Sequence, residues 1–139
     1  MIVIDTNVIS ALMHENPDHA VLEWFDKQAA TSLWTTAITI LEIRFGLSRM
    51  PAGRRRARRE QVFDRVLEDD VQNRVLAFDQ TSAGRTATLM ARCESQGRGI
   101  ELRDAMIAGI ALTRSAALAT RNSTHFESLE LVLINPWSN

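Results

Sequence analysis

An α/β fold, with a parallel sheet covered by helices on both faces, is the class this chain predicts. Short apolar runs alternate along it with longer amphipathic stretches, the order that builds a parallel sheet. The runs Ile2-Val3-Ile4 and Leu131-Val132-Leu133-Ile134 are apolar throughout, as strands buried on both faces are. The 139 residues suit one domain over 1–139. A chain near that length buries about two-thirds of its unfolded surface, enough for its own core. The expected architecture is a three-layer α/β/α domain whose central parallel sheet has four or five strands.

Met1–Asp5 reads as the first strand, and Thr6-Asn7 opens a helix through Ser10–Met13. Asn16-Pro17-Asp18 breaks it, and Asp18 caps a second helix with Val21, Leu22 and Phe25 on one face. Ser32–Thr36 is the second strand. Ala37–Met50 follows as a helix with Ile38, Leu41 and Phe45 as its apolar stripe. Pro51-Ala52-Gly53 interrupts it, and Arg54–Asp70 resumes as an amphipathic helix with Val62, Phe63, Val66 and Leu67 apolar. Arg74–Phe78 is the third strand. Ala83–Gln96 is a helix ended by Gly97 and Gly99, and Leu102–Ser115 a helix of mostly small apolar residues. Leu118–Thr120 and Leu131–Ile134 complete the strands, and Pro136 closes the pattern. Sheets of this kind bind ligands beyond the carboxyl ends of their strands, which singles out the end of the first strand.

Composition excludes several classes. Hydrophobic residues at 45% and charged residues at 24% are ordinary globular values, so disorder and collagen-like order are excluded. Met1–Ile4 is too short for a signal peptide and lacks a basic leader. No apolar run approaches the ~18 residues of a membrane span. A cytoplasmic protein without membrane contact is expected. Cys93 stands alone, which rules out a disulfide framework and a cysteine zinc site. His14, His19 and His125 lack metal-ligand spacing. Cys93, Trp24 and Trp34 read as packing residues. Trp137 either anchors the tail or belongs to a dimer face, and any exposed Trp can stack on nucleic-acid bases. Fifteen of the sixteen basic residues are arginine, and from Arg44 to Arg65 eight of them face only Glu60 and Asp64. A planar guanidinium suits phosphate oxygens, and a solvated helix face explains the same run.

The acids carry the chemistry. Asp5 stands at the carboxyl end of the first strand, where it caps the next helix or lines a site. Glu42 lies four residues after Ile38 and three before Phe45, on the apolar stripe. A buried carboxylate there costs several kcal/mol unless it is paired or binds metal. Arg44 and Arg49 are not at helical spacing from it. Asp104 sits in the first turn of its helix, where the helix dipole favours an acid. The small residues after it let that helix approach the sheet and carry Asp104 to the strand ends. Asn122, after the fourth strand, is a turn residue or a neutral oxygen ligand, with the Thr120 hydroxyl beside it. All four offer the oxygen donors that Mg²⁺ and Mn²⁺ prefer. Acids ~4 Å apart repel by on the order of 4 kcal/mol per pair at an effective dielectric of about 20, so convergence calls for a cation or a bound proton.

Several stretches resemble a known family. Val3-Ile4-Asp5-Thr6-Asn7-Val8-Ile9-Ser10 resembles the opening of PIN-domain proteins. Thr39-Ile40-Leu41-Glu42-Ile43-Arg44-Phe45-Gly46 resembles their second motif, Arg103-Asp104-Ala105-Met106-Ile107-Ala108 their third, and Ala119-Thr120-Arg121-Asn122 with Phe126 their fourth. Asn135-Pro136-Trp137 is similar to the FitB-type branch of VapC toxins. The resemblance implies a Mg²⁺- or Mn²⁺-dependent endoribonuclease, the toxin of a type II toxin–antitoxin pair. Asp5, Glu42 and Asp104 correspond to its acidic triad, with Asn122 as a fourth ligand. Asp5 and Asp104 then hold the metal, Glu42 orients or deprotonates the attacking water, and Asn122 and Thr120 position solvent. It further implies a homodimer, and an antitoxin that binds DNA and blocks the acidic pocket. Asn122 departs from the Asp common at that place, which favours one tightly held metal over two. Arg54–Arg59 is a candidate RNA track, an antitoxin surface or plain solvated surface.

Rival readings are weaker. A phosphohydrolase with Asp5 as nucleophile expects a second Asp where Asn7 stands, and a downstream Lys, yet Lys27 is the only lysine. A receiver-like module wants a Lys near the last strand. No Gly-rich phosphate loop is present. A non-catalytic RNA- or antitoxin-binding protein with structural acids is the remaining alternative, and metal dependence separates it from the enzyme.

Overall fold

The computed structural model describes residues 1–138. Its centre is a five-stranded sheet in the order β3-β2-β1-β4-β5, parallel throughout. The strands are β1 (Ile2–Ile4), β2 (Leu33–Thr36), β3 (Val75–Leu76), β4 (Ala117–Ala119) and β5 (Leu133–Ile134). The helices are α1 (Thr6–Leu12), α2 (His19–Lys27), α3 (Ala37–Arg49), α4 (Arg54–Arg65), α5 (Gln80–Ser95) and α6 (Leu102–Thr113). β1 lies in the middle, with Val3 beside Trp34 on one side and Leu118 on the other.

Successive residues of a strand face opposite ways, and each face has its own core. Val3 and Leu118 join Ala105, Ile107, Ala108 and Ala111 of α6 and Leu89 and Cys93 of α5. Ile4 and Ala119 join Val8 and Ile9 of α1, Val21 and Trp24 of α2, Ile43 and Leu47 of α3 and Phe63 of α4. The small residues of α6 allow close packing. A Cβ added at Gly109 meets the Thr86 Oγ1 of α5 at 1.9 Å, so the two helices touch where glycine stands. No helix among the described residues is long and apolar enough to cross a membrane.

Several boundaries differ from the sequence expectation. α5 starts at Gln80 rather than Ala83 because the Asp79 carboxylate accepts the Ser82 amide at 2.8 Å and caps it. The helix expected to continue to Asp70 is α-helical only to Arg65. Val66–Asp70 forms a π-helical turn closed by the Val71 amide on the Val66 carbonyl. β3 and β5 keep two residues each of the longer runs expected. β4 ends at Ala119, leaving Thr120 just beyond it. The apolar stripe of α3 is also corrected. Leu41 and Phe45 are 56% and 52% exposed, and the buried face is Ile38, Thr39, Ile43 and Leu47.

Candidate active site

Residues of α1, α3 and α6 and of the segments after β1 and β4 line one cavity of about 770 Å³ at the carboxyl edge of the sheet. Asp5, Glu42, Asp104 and Asn122 all line it. Thr120, the fifth expected residue, does not; it is fully buried behind Asp5.

Asp5 is the most constrained of the acids. It follows β1 directly, its amide bonding the Ala119 carbonyl of β4 at 2.9 Å, and it is 3% exposed. Its Oδ1 accepts the Thr6 amide at 2.8 Å, which makes it the cap of α1. Its Oδ2 accepts the Thr120 hydroxyl at 2.7 Å and the Asn7 Nδ2 at 3.3 Å. The cap and the site are therefore one residue. Burial pushes the Asp5 carboxyl above the usual carboxylate range. The bonds from Thr120, Thr6 and Asn7 oppose the rise, and the nearby Asp104 charge adds to it.

Glu42 reaches the cavity from α3. Its Oε1 accepts the Thr6 hydroxyl at 2.8 Å, and Arg103 lies 3.9 Å from its Oε2. Glu42 stands at the edge of the buried face, its side chain 21% exposed at the cavity. Asp104 enters from the first turn of α6, whose cap is Glu101 accepting the Asp104 amide at 3.1 Å. His125 Nδ1 lies 3.6 Å from its Oδ2. Burial raises the Asp104 carboxyl, the Glu101 and Glu42 charges raise it further, and His125 lowers it. Asn122 is exposed on the turn after β4. Its amide donates to the Thr120 hydroxyl at 3.1 Å, and its side chain makes no hydrogen bond among the described residues.

In the sequence Thr6-Asn7 is a helix start within the opening motif, with no site role of its own. In the fold Thr6 ties Asp5 to Glu42. Asn7 ties Asp5, Thr120 and the Arg121 amide, which donates to its Oδ1 at 3.1 Å. The available signal was two polar residues directly after a strand-end acid, ahead of the buried pair Val8-Ile9.

The donor set is all oxygen, which suits a hard divalent cation. Among the described residues no three His, Cys, Asp or Glu side chains close into a ready cage. The carboxylates instead ring the cavity, an arrangement that fits an ion retaining several of its waters. The Asp104 charge raises the proton affinity of Asp5, the Glu101 and Glu42 charges raise that of Asp104, and a cation among these acids removes that penalty.

A second cavity of about 1030 Å³ adjoins the first and shares Thr6, Ser10, His14, Asn16 and Glu42 with it. Its far wall is Arg54, Arg55, Arg58 and Arg59 of α4. Acidic pocket and arginine-lined groove thus form one trough.

A parallel α/β/α domain with four carboxylates, three of them Asp5, Glu42 and Asp104, and the Asn122 amide around one pocket beyond β1 and β4 is the class that fold and site define. The PIN domain family matches residues 2–130, and the chain belongs to it. It is 44% identical to VapC ribonuclease Y4jK of Sinorhizobium fredii over 99% of this chain and 98% of that one. It is 28% identical to toxin FitB of Neisseria gonorrhoeae over 99% of each chain. The structure of FitAB bound to a DNA fragment superposes with a TM-score of 0.91 at 28% identity, covering 100% of this chain and 97% of that one.

Proposed function

We propose that this chain is the toxin of a toxin–antitoxin pair, an endoribonuclease whose cleavage of RNA phosphodiesters needs a divalent cation. The observation that carries it is the meeting of Asp5, Glu42 and Asp104, from β1, α3 and α6, in one cavity. The likeness to a VapC ribonuclease and to toxin FitB supports the reaction and the setting.

In this reading Asp5, Asp104, Glu42 and Asn122 hold the ion, which is Mg²⁺ or Mn²⁺ by its oxygen donors. When bound, such an ion makes water a better nucleophile at neutral pH and offsets charge developing on a phosphate. The chain's own residues do the rest. The Thr120 hydroxyl donates a hydrogen bond to Asp5 and so aims one carboxylate oxygen, while Thr6 and Asn7 fix the other contacts. Thr120 accordingly positions Asp5 rather than solvent. Glu42, steadied by Thr6, orients the attacking water or takes its proton. Asn122 offers an uncharged oxygen at the rim.

The partner is an antitoxin covering the trough, and it carries the pair to DNA, as FitAB is bound to DNA. A homodimer completes the assembly. The test uses purified, antitoxin-free protein and labelled structured RNA with Mg²⁺, Mn²⁺ or EDTA. Cleavage that needs metal and disappears in Asp5→Asn supports the reading. RNA binding that ignores metal, with no cleavage of any RNA, moves the protein to the binding-only class.

A further inference from the structure

We propose that Arg121 and Trp137 form a phosphate-holding subsite for single-stranded RNA on the wall of the acidic cavity; this rests on the nuclease reading. Among the residues lining that cavity are four carboxylates: Asp5, Asp18, Glu42 and Asp104. The same lining holds one arginine or lysine, Arg121, and one large aromatic, Trp137. These two lie against each other, the guanidinium carbon 5.1 Å from the indole ring centroid.

An anionic chain entering an acidic pocket is repelled by every carboxylate not offset by a cation. Arg103, the other arginine near Glu42, is held by Glu101 at 3.1 Å and lies 3.9 Å from Glu42. Its charge is spent on the protein. Arg121 makes no ion pair within 4.0 Å among the described residues, although it lines a cavity with four carboxylates. Its charge faces an aromatic ring instead, a contact that orients a guanidinium without using its hydrogen-bond donors on a carboxylate.

Both partners are fixed relative to the reacting end of the sheet. The Arg121 amide donates to Asn7 Oδ1 at 3.1 Å, and Asn7 in turn donates to Asp5. The position of Arg121 is thus set by the same side chain that holds the central acid. Trp137 sits in the short helical turn Pro136–Ser138, its amide bonded to Asn135 Oδ1 at 3.0 Å, and its ring packs on the core that holds Val21 and Trp24. A guanidinium laid on a fixed ring loses little further freedom when it meets a phosphate. The geometry assigns Arg121 the phosphate next to the cleaved one, read without regard to base, and assigns Trp137 the task of holding Arg121 in place.

The test measures binding of a labelled single-stranded oligouridylate to the full chain in EDTA, across a salt series. Arg121→Ala weakens binding about tenfold, the loss of one charge-assisted hydrogen bond. It also lowers the slope of log affinity against log salt by about 0.7, the contribution of one phosphate contact on a single strand. Arg121→Lys keeps the slope and recovers part of the affinity. Trp137→Leu keeps the slope and loses affinity, because the cation is present but no longer held. Arg121 is exposed, so thermal melting of Arg121→Ala matches wild type and the test does not depend on folding. Unchanged affinity and slope in Arg121→Ala overturn the subsite. So does a variant that keeps RNA affinity but loses its protein partner, which assigns the pair to the antitoxin interface. Metal-requiring cleavage by the wild type, run on the same preparation, reports separately on the nuclease reading.

Discussion

The carboxyl edge of the sheet and the outer helix α4 carry charge in opposite ways. At the edge, Asp5 is buried and held by three donors besides its neighbours in the sheet. On α4 the arginines stand at the surface. Arg58 reaches Glu15 at 3.4 Å with both side chains more than two-thirds exposed, and Arg56 pairs with Glu60 one turn along. A charge taken from water is kept only where surrounding groups compensate it, whereas a solvated charge needs no compensation. The edge is therefore the place where single substitutions have large effects, and α4 the place where they have small ones.

The largest expected effect is on activity. Asp5→Asn lowers metal-dependent cleavage by more than roughly 100-fold, beyond the usual loss for residues one step removed from a metal. Circular dichroism of the variant stays native, because the amide keeps the size of the carboxylate. Retained activity in a variant shown free of contaminating nuclease breaks the comparison at its centre.

Thr120→Val keeps the volume and removes the hydroxyl that Asp5, Asn7 and the Asn122 amide share. We expect a stability loss of about 1–3 kcal/mol in denaturant melts. We also expect metal affinity about 10–100-fold weaker by calorimetry. A variant as stable as wild type means the network carries less than its geometry implies.

A third effect depends on pH. Asp5 and Asp104 have carboxyl pKa values raised in the folded chain above 3.8, so the folded state binds their protons more tightly than the unfolded state does. Their contribution to stability is full below 3.8 and is lost as pH rises through the folded values. In EDTA, therefore, Asp104→Asn melts above wild type at neutral pH, and the gap closes as pH falls. Added Mg²⁺ stabilises wild type more than the variant. A gap that widens in acid contradicts the assignment.

The smallest effect belongs to α4. Arg58→Ala changes stability by no more than about 0.5 kcal/mol, as exposed ion pairs do. A larger loss in a melt sharpens the comparison by giving the arginine helix a structural part.

Asp5 was legible because a polar residue ends an uninterrupted apolar run, and a strand that enters the sheet centre delivers its last residue to the carboxyl edge. Glu42 was legible as a residue out of place, yet its stated surroundings were not. α3 carries apolar residues nearly all round, so periodicity alone does not tell Ile43 and Leu47 from Leu41 and Phe45. Docking on the sheet buries the first pair and leaves the second in solvent. Asp104 depended on where the first turn of α6 docks at the edge of the sheet, which is invisible until the helix is placed.

The sequence by itself determined the alternation of strands and helices, the apolar faces that bury them, and the supply of oxygen donors at the ends of β1 and β4. These follow from local hydrophobic pattern and from residue chemistry, which each segment carries alone. Only the tertiary structure decided that Thr120 serves Asp5, that Asn7 joins Asp5 to Arg121, and that Arg121 meets Trp137. Those contacts link residues as far as 115 positions apart. The parallel pairing of β1 with β4, and of β4 with β5 for Arg121 and Trp137, brings them together, and no local propensity encodes it.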